Sequence, residues 1–286
     1  MIEIGSAALS ATINPLGAEL TRLRDAQGNE LMSDGDPAFW AGRAPLLFPV
    51  VGALNGDSYR LDGHDYPLPP HGFARRREFT LVDRAADRAW FRLSDDDATR
   101  EAYPFAFALD AEFVIADATL TMTVTLVNRG DRAMPASFGF HPAFAWPLPY
   151  GGARKDHRIV FEHEEPQPIA RLEGKLIGPV DRETPVEGDT LWLRDDLFEQ
   201  DALVWTAPES RSLRYGAPEG PQLEIGFPDM PTLAVWTKPG ARFICIEPWQ
   251  GHADPTGFAG EIWDKPGMLR LEPGERRAFA MAVTLA

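Results

Sequence analysis

The sequence predicts an all-β protein built as one large antiparallel β domain. Residues 120–127 read Leu-Thr-Met-Thr-Val-Thr-Leu-Val, and this strict alternation of apolar and polar side chains is typical of a strand with one wet face. Similar short apolar runs recur along the chain, separated by Asn-Gly, Asp-Gly and Pro-Gly turn sequences. Helical periodicity does not extend beyond about two turns anywhere. Together these three observations favour strands joined by short reversals.

The other predicted strands share short length and enrichment in branched or aromatic side chains. They cover residues 79–82, 89–93, 107–115, 159–161, 203–205, 223–227, 233–237, 243–247 and 277–285. The chain has no fixed-length repeat and no linker-like change of composition, so we expect residues 1–286 to form a single domain. Residues 150–201 are polar, rich in proline and weakly patterned, which predicts a long excursion between strands that is able to close over a site.

Charge and composition limit the partners. The chain has 28 Lys and Arg against 43 Asp and Glu, a net charge of −15, which repels nucleic acid and anionic lipid. The N-terminus lacks the pattern of a signal peptide, and no apolar run reaches membrane-spanning length, so we expect no membrane partner. The single cysteine, Cys245, cannot form an internal disulfide and lies between two isoleucines. A cytoplasmic location and a buried strand around Cys245 are therefore predicted.

Residues 137–144, Ser-Phe-Gly-Phe-His-Pro-Ala-Phe, place His141 among aromatic residues at the expected end of a strand. Pro142 follows directly and is expected to end regular pairing. Histidine is the side chain most easily adapted to proton transfer near neutral pH. A hydrogen-bonded histidine packed in the core is the alternative interpretation.

Residues 68–75, Leu-Pro-Pro-His-Gly-Phe-Ala-Arg, contain a second histidine, His71. Gly72 permits a close approach of the backbone, and Arg75 adds a fixed cation with bidentate hydrogen-bonding capacity. An exposed loop ending in a surface Arg-Arg-Arg run is the alternative here. Taken alone, this motif does not distinguish the two.

Residues 243–249, Phe-Ile-Cys-Ile-Glu-Pro-Trp, place a carboxylate in an apolar strand. Alternation puts Cys245 and Glu247 on one face, and Pro248 is expected to stop the ladder. A buried carboxylate is costly unless it is partnered or lies in a cleft, so Glu247 is a candidate catalytic group. A rim carboxylate bound to arginine is the alternative. Trp249 and Trp236 have flat rings suited to stacking on a ligand, although either residue is also suited to the core.

Asp201 precedes the expected strand at 203–205, where a carboxylate is placed to accept ligand hydroxyls, although acids at strand starts are common. The chain has no glycine-rich phosphate loop, no serine-centred nucleophile elbow and no paired Cys-x-x-Cys. Several common enzyme classes therefore lose support.

Three motifs in order, Pro-x-His-Gly-Phe-Ala-Arg at 69–75, Gly-Phe-His-Pro at 139–142 and Cys-Ile-Glu-Pro-Trp at 245–249, resemble the aldose 1-epimerase, or galactose mutarotase-like, family. The resemblance is closest to its LacX-type branch. It extends from Asn-Pro-Leu-Gly-Ala-Glu-Leu at 14–20, through Leu-Leu-Phe-Pro-Val-Val-Gly at 46–52, to Leu-Glu-Pro-Gly at 271–274. It therefore covers nearly the whole chain.

The resemblance implies a large antiparallel β-sandwich of the supersandwich type, a sugar cleft, and epimerase chemistry without metal or other cofactor. By position it implies that His141 is the general acid and Glu247 the general base. We expect these two side chains to converge on opposite edges of one cleft. His71, Arg75 and Asp201 would bind substrate, and we add Trp236 as a stacking residue. The implied partner is a small aldose, bound by a monomer or homodimer.

One position departs from the family pattern. Many relatives carry arginine directly after the glycine at position 52, where this chain has Ala53, and in the hexose-6-phosphate branch that arginine helps to hold the phosphate. Ala53 therefore argues against a phosphosugar epimerase. Three further alternatives remain: a non-catalytic sugar-binding or sensor protein, a cupin-like metal enzyme using His71, His141 and Glu247, and a glycoside hydrolase using Glu247 and Asp201.

Overall fold

The computed structural model describes residues 1–286, and strands hold 47% of them against 8% in helices. The all-β prediction is therefore confirmed. The strands are β1 (Ile2–Gly5), β2 (Leu9–Asn14), β3 (Glu19–Asp25), β4 (Leu46–Leu47), β5 (Ser58–Leu61), β6 (His64–Pro67), β7 (Thr80–Arg84), β8 (Arg88–Ser94), β9 (Phe107–Ala116), β10 (Thr119–Asn128), β11 (Met134–Ala136), β12 (Phe138–Phe140), β13 (Ala143–Ala145), β14 (Arg158–Phe161), β15 (Ile169–Glu173), β16 (Leu176–Arg182), β17 (Thr190–Trp192), β18 (Leu203–Trp205), β19 (Ser212–Gly216), β20 (Leu223–Gly226), β21 (Thr232–Trp236), β22 (Phe243–Gln250), β23 (Leu269–Leu271) and β24 (Arg276–Leu285).

The helices are short. The one α-helix, α1 (Asp97–Ala102), begins with a capping box in which the Asp96 carboxylate accepts from the Thr99 N–H and the Thr99 hydroxyl accepts from the Asp96 N–H. Single 3₁₀ turns lie at Asn55–Asp57, Ala74–Arg76, Arg154–Asp156, Asp195–Phe198 and Ile262–Asp264. None of these helices has the length and apolar character needed to cross a bilayer.

Two large sheets dominate the molecule. The first has nine strands in the order β17-β14-β19-β20-β24-β10-β9-β8-β7, and the second has eight, in the order β16-β15-β18-β21-β22-β12-β4 with β13 also paired to β22. A three-stranded sheet (β1-β2-β3) and two pairs (β5-β6 and β11-β23) complete the fold. Neighbouring strands run antiparallel throughout these ladders.

The two large sheets pack face to face. The Phe138 ring on β12 stacks on the Phe279 ring on β24, with centroids 5.0 Å apart. The main core contains 66 buried apolar residues and draws on the chain from Ile4 to Val283. This packing confirms the predicted antiparallel β-sandwich, and because the core spans nearly the whole sequence we propose that residues 1–286 form one domain.

Strand β10 shows how the alternating pattern becomes structure. Its side chains are alternately half-buried and buried along all ten residues, with the four threonines and Val127 half-buried and Leu120, Met122, Val124, Leu126 and Asn128 buried. It pairs with β9 on one side and β24 on the other. The strongest strand pattern in the sequence therefore lies inside the nine-stranded sheet.

The segment 150–201 differs from its prediction. It is not one long excursion, because β14, β15, β16 and β17 all lie within it. The β15–β16 hairpin has two register shifts, which break the alternation that identifies strands in a sequence. Leu172 and Ile177 of this hairpin nevertheless line a cavity, so the segment does border the candidate site.

Candidate active site

A break in the pairing along β22 creates the centre of the site. On the same side of β22, β12 pairs with Trp249 and Gln250 while β13 pairs with residues 243–245, which leaves residues 246–248 without a strand partner there. The link between β12 and β13 is His141-Pro142, so the histidine enters the sheet at this gap.

The gap also explains an error in the predicted strand end. Pro248 does not stop the ladder, because β22 continues to Gln250 and Pro248 lies opposite Leu233 on β21. Proline is tolerated where the strand needs no N–H for a neighbour, and the gap between β12 and β13 provides that position. Glu247 therefore lies within the strand, beside the break, rather than at its end.

The predicted alternation along β22 is confirmed. Ile244 and Ile246 belong to the main core, whereas Cys245 packs in a separate small cluster on the other face and Glu247 faces a cavity on that side. The His141 Nε2 atom lies 3.1 Å from the Glu247 Oε2 atom. The expectation that these two groups occupy opposite edges of a cleft is wrong, since they are direct neighbours.

The His141 and Glu247 side chains are close together, but each has a polar atom without a hydrogen bond. The 3.1 Å contact between His141 Nε2 and Glu247 Oε2 does not have hydrogen-bond geometry, so Glu247 Oε2 is buried without a hydrogen bond, as is His141 Nδ1. Buried polar atoms are nearly always paired in proteins, because an unpaired one loses its hydration without replacement. The site therefore retains bonding capacity for a ligand in the cavity.

Burial sets the protonation preferences of the pair. It raises the pKa of the Glu247 carboxyl well above its usual range, and the negative charge of Asp201 raises it further. It lowers the pKa of the His141 imidazole well below its usual range, and the interactions with His71 and Arg75 act in the same direction. Without a ligand, the pair therefore favours a neutral carboxylic acid beside a neutral imidazole.

The cavity over this pair has a volume of about 340 Å³, which lies within the range of small-molecule sites. It lies on the face of the eight-stranded sheet that points away from the main core. All six predicted site residues line it: His71, Arg75, His141, Asp201, Trp236 and Glu247. Ala53 also lines it, at the position where phosphosugar relatives were expected to carry arginine.

His71 is held by the backbone in a strained conformation. Its φ is +65°, and its backbone N–H donates to the Gly52 carbonyl at 2.8 Å while its ring Nδ1 accepts from the Gly52 N–H at 3.2 Å. Burial lowers the pKa of His71 to about 3, with a further contribution from Arg75. Because Nδ1 is an acceptor in the neutral ring, Nε2 carries the proton, and His71 is a fixed hydrogen-bond donor.

The glycine after His71 behaves as expected. Gly72 has φ +66°, and a Cβ atom there would lie 2.2 Å from the Phe48 carbonyl oxygen. Only glycine permits this approach, which seats the His71 loop against the strand-end segment at Phe48.

The charged side chains at the cavity rim are held more loosely. Arg75 is partly buried and its Nη2 donates to the Pro70 carbonyl at 3.3 Å. Asp201 is exposed, has φ +66°, and its Oδ1 accepts from the Ala202 N–H at 2.7 Å. Each therefore retains hydrogen-bonding capacity toward a ligand.

An aromatic residue absent from the predicted set packs on the candidate acid. The Trp40 ring stacks on the His141 imidazole with centroids 4.8 Å apart and planes inclined by 29°, and Trp236 meets both rings edge-on. Lys175, His252 and Trp249 also line the cavity. Of Lys175, His252 and Trp249, only Trp249 was identified from the sequence. The only feature of the sequence that could have identified Trp40 as a site residue is the aromatic pair Phe39-Trp40 in a stretch rich in Asp, Gly and Pro.

The structure also changes the candidate metal ligands. The donor atoms of His141, Cys245 and Glu247 lie within 4.8 Å of one another, and all three residues are buried. The cupin-like alternative placed His71 in such a set, but its Nδ1 is engaged by the Gly52 N–H. The candidate metal ligands in the structure are therefore the imidazole of His141, the thiol of Cys245 and the carboxyl group of Glu247.

Comparisons with known proteins agree with this architecture. The protein LacX (chromosomal) of Lactococcus lactis subsp. lactis is 29% identical over 99% of both chains. The galactose mutarotase related enzyme of Lactobacillus acidophilus superposes with a TM-score of 0.93 at 28% identity, covering 100% of this chain and 97% of that one. A galactose mutarotase-like protein of Lactobacillus casei gives 0.91 at 31% identity with both chains fully covered. Residues 1–284 match the family model for aldose 1-epimerase, and the chain belongs to that family.

Proposed function

We propose that this protein is a mutarotase that interconverts the α and β anomers of an aldohexose, with Glu247 as general base and His141 as general acid. The observation that carries the proposal is the 3.1 Å approach of His141 Nε2 to Glu247 Oε2 at the wall of a sugar-sized cavity. The family membership and the mutarotase-like relatives support the same reaction class.

Anomer exchange needs one base and one acid at neighbouring atoms. The base takes the proton from the C1 hydroxyl while the acid protonates the ring oxygen, and the hemiacetal opens. Rotation about C1–C2 and ring closure follow, with both protons returned. Because the C1 hydroxyl oxygen and the ring oxygen share one carbon, a carboxylate and an imidazolium side by side are placed to serve both.

The ionised pair required by this chemistry is accessible in the cavity. Burial favours neutral Glu247 and neutral His141, so the proton that can be transferred within the pair lies on the Glu247 carboxyl group. Moving that proton from Glu247 to His141 leaves the net charge of the pair unchanged, so the cavity gains no uncompensated charge. Sugar hydroxyls that donate to the Glu247 carboxylate further favour the ionised arrangement.

The remaining lining residues suit a neutral sugar. The His71 ring donates from Nε2, the Asp201 carboxylate accepts hydroxyls, and Arg75 donates from its guanidinium. Trp236 provides an apolar face for the sugar ring. General acid and base catalysis each contribute about 10²–10⁴-fold, so the residues present supply the needed acceleration without a cofactor.

Replacement of Glu247 by glutamine tests the proposal. We expect Glu247→Gln to lower catalysed mutarotation by about 10²–10⁴-fold, because the amide cannot accept the C1 proton. Saturation-transfer NMR on fresh α-glucose and α-galactose measures the exchange rate. The exposed carboxylate variant Glu224→Gln is the matched control and should keep the wild-type rate.

The same experiment separates the alternatives. Mutarotation at the wild-type rate in Glu247→Gln would refute the assignment of the base. Sugar binding without anomer exchange in the wild type would indicate a sugar-binding or sensor protein, and release of reducing sugar from aryl glycosides would indicate a hydrolase. Stoichiometric metal lost together with activity would indicate a metal enzyme. Faster exchange of hexose 6-phosphates than of free hexoses would contradict the expectation drawn from Ala53.

A further inference from the structure

The thiol of Cys245 is a third potential metal ligand close to the proposed acid and base. Cys245 and Glu247 are two residues apart on β22 and therefore share a face, and His141 reaches them through the pairing gap. One donor atom from each of the three side chains lies within 4.8 Å of the other two. The exposed fractions are 0% for Cys245, 7% for His141 and 2% for Glu247.

The cluster contains unused bonding capacity. His141 Nδ1 and Glu247 Oε2 have no hydrogen-bond partner although both side chains are more than nine-tenths buried. The mechanism assigns no role to Cys245, which does not line the cavity itself. Cys245 packs instead in a small apolar cluster with Ala143, Ala241 and Phe243. A ligand in the cavity therefore meets His141 and Glu247, which line it, rather than the thiol.

We propose that His141, Cys245 and Glu247 form an inhibitory zinc site. Imidazole nitrogen, thiolate sulfur and carboxylate oxygen are the three ligand types that zinc prefers, and three protein ligands leave one coordination position open. That position faces the cavity, where water or a sugar hydroxyl fills it. The binding part of the proposal is independent of the reaction, whereas the inhibition part rests on the proposed function.

The distances require a small contraction. Tetrahedral zinc with bonds of about 2.0–2.3 Å holds its ligand atoms roughly 3–4 Å apart, so the outermost donors must approach by about 1 Å. The approach of His141 to Glu247 is already 3.1 Å.

Zinc binding must displace protons. The thiol proton of Cys245 and the carboxyl proton of Glu247 leave to solvent as the metal–sulfur and metal–oxygen bonds form, while neutral His141 binds directly. Burial raises the pKa values of Cys245 and Glu247, so these protons are held more tightly than in water. Zinc affinity should therefore increase with pH. Bound zinc occupies both proton-transfer groups, which stops mutarotation.

Cobalt(II) is the probe for binding. Cys245 is the only cysteine, so a thiolate-to-cobalt charge-transfer band reports this site alone. We expect one equivalent of Co²⁺ to produce the band in the wild-type protein, and Zn²⁺ to displace it. Cys245→Ser should abolish the band, and Cys245→Ala is the second variant if the serine protein does not fold.

Inhibition is measured in parallel. Zn²⁺ should stop wild-type mutarotation and a chelator should restore it. Cys245→Ser should keep the basal rate and weaken inhibition by at least about tenfold, because even the loss of an outer-shell partner of a metal ligand typically weakens metal binding by that much. The exposed-histidine variant His163→Ala is the matched control for adventitious surface binding and should be inhibited like the wild type.

The two proposals fail separately. No thiolate band in the wild type, or equal zinc inhibition of wild type and Cys245→Ser, overturns the zinc site. A thiolate band in a protein that does not catalyse mutarotation supports the zinc site and refutes the proposed function. A protein that catalyses mutarotation but shows no thiolate band supports the proposed function and refutes the zinc site.

Discussion

Two buried pairs of acid and base lie in this protein, and they differ in how completely they are satisfied. Lys265 and Asp254 approach to 2.7 Å, and His141 and Glu247 approach to 3.1 Å. All four side chains are more than nine-tenths buried. Burial and distance alone therefore do not distinguish the pairs.

Their hydrogen bonds distinguish them. Lys265 Nζ donates to Asp254 Oδ1 and to the His252 carbonyl, both at 2.7 Å, and Asp254 Oδ2 accepts from the Asn55 N–H at 2.8 Å. In the other pair, Glu247 Oε2 makes no hydrogen bond, although His141 Nε2 lies close to it. A saturated buried pair is suited to holding structure, and an unsaturated one at a cavity is suited to chemistry.

The saturated pair supports the unsaturated one. The Asp254 N–H donates to the Ala53 carbonyl at 2.9 Å, which ties residues 252–254 to the segment that precedes Asn55. Ala53, His252 and Ala253 all line the cavity. The Lys265–Asp254 pair therefore fixes one wall of the proposed sugar site.

Among the stability predictions, the replacement of Lys265 should cause the largest loss in the free energy of unfolding. Lys265→Met should lower the free energy of unfolding by about 3–5 kcal/mol, because it leaves the Asp254 carboxylate buried without a counter-charge. Urea denaturation measures the loss. Arg88→Met, in the exposed Arg88–Asp83 pair, is the control and should cost about 0–1 kcal/mol. Equal, small losses in both variants would show that the buried pair is not structural.

The pH dependence of stability is a smaller effect that sharpens the difference. The pKa of Glu247 is raised in the folded protein above its ordinary value of 4.5, so the folded state binds more protons than the unfolded state between those two pKa values. Wild-type stability therefore falls as the pH rises through that window. Glu247→Gln lacks this dependence and should be the more stable protein at neutral pH.

Thermal unfolding of both proteins across a pH series checks the sign. The lowered pKa of His141 acts in the opposite direction, because its stability contribution increases as the pH rises toward 6.5, but it is present in both proteins. Greater stability of the wild type at every pH would contradict the buried, unsatisfied state of Glu247.

Regular strands were the predictable part of the fold. The alternating run in β10 and the apolar runs of β9 and β24 were read directly from the sequence. The N-terminal strands β1, β2 and β3 were not predicted, and β2 pairs with β3 through a register shift. The same irregularity hid β15 and β16. Local pattern fails where a bulge changes the face that each residue presents.

The site residues that could be predicted are those in the three sequence motifs, at 69–75, 139–142 and 245–249. Each of the three motifs contributes a residue to the cavity wall, because breaks in regular pairing free side chains for function. Trp40 and His252, and the donor cluster at Cys245, were not predicted. The proximity of Trp40 to His141 depends on sheet register across about a hundred residues, which no local pattern contains, whereas Cys245 and His252 lie close to Glu247 along the chain itself. The cytoplasmic location and the monomer or homodimer state stay predictions.

The most direct test of the central claim is the mutarotation rate of the double variant His141→Asn/Glu247→Gln beside the two single variants. If the two groups act as one proton-transfer unit, the double variant will be no slower than the slower single variant, because either change already disables the pair. Losses that multiply in the double variant, or a single variant with the wild-type rate, would contradict a shared role.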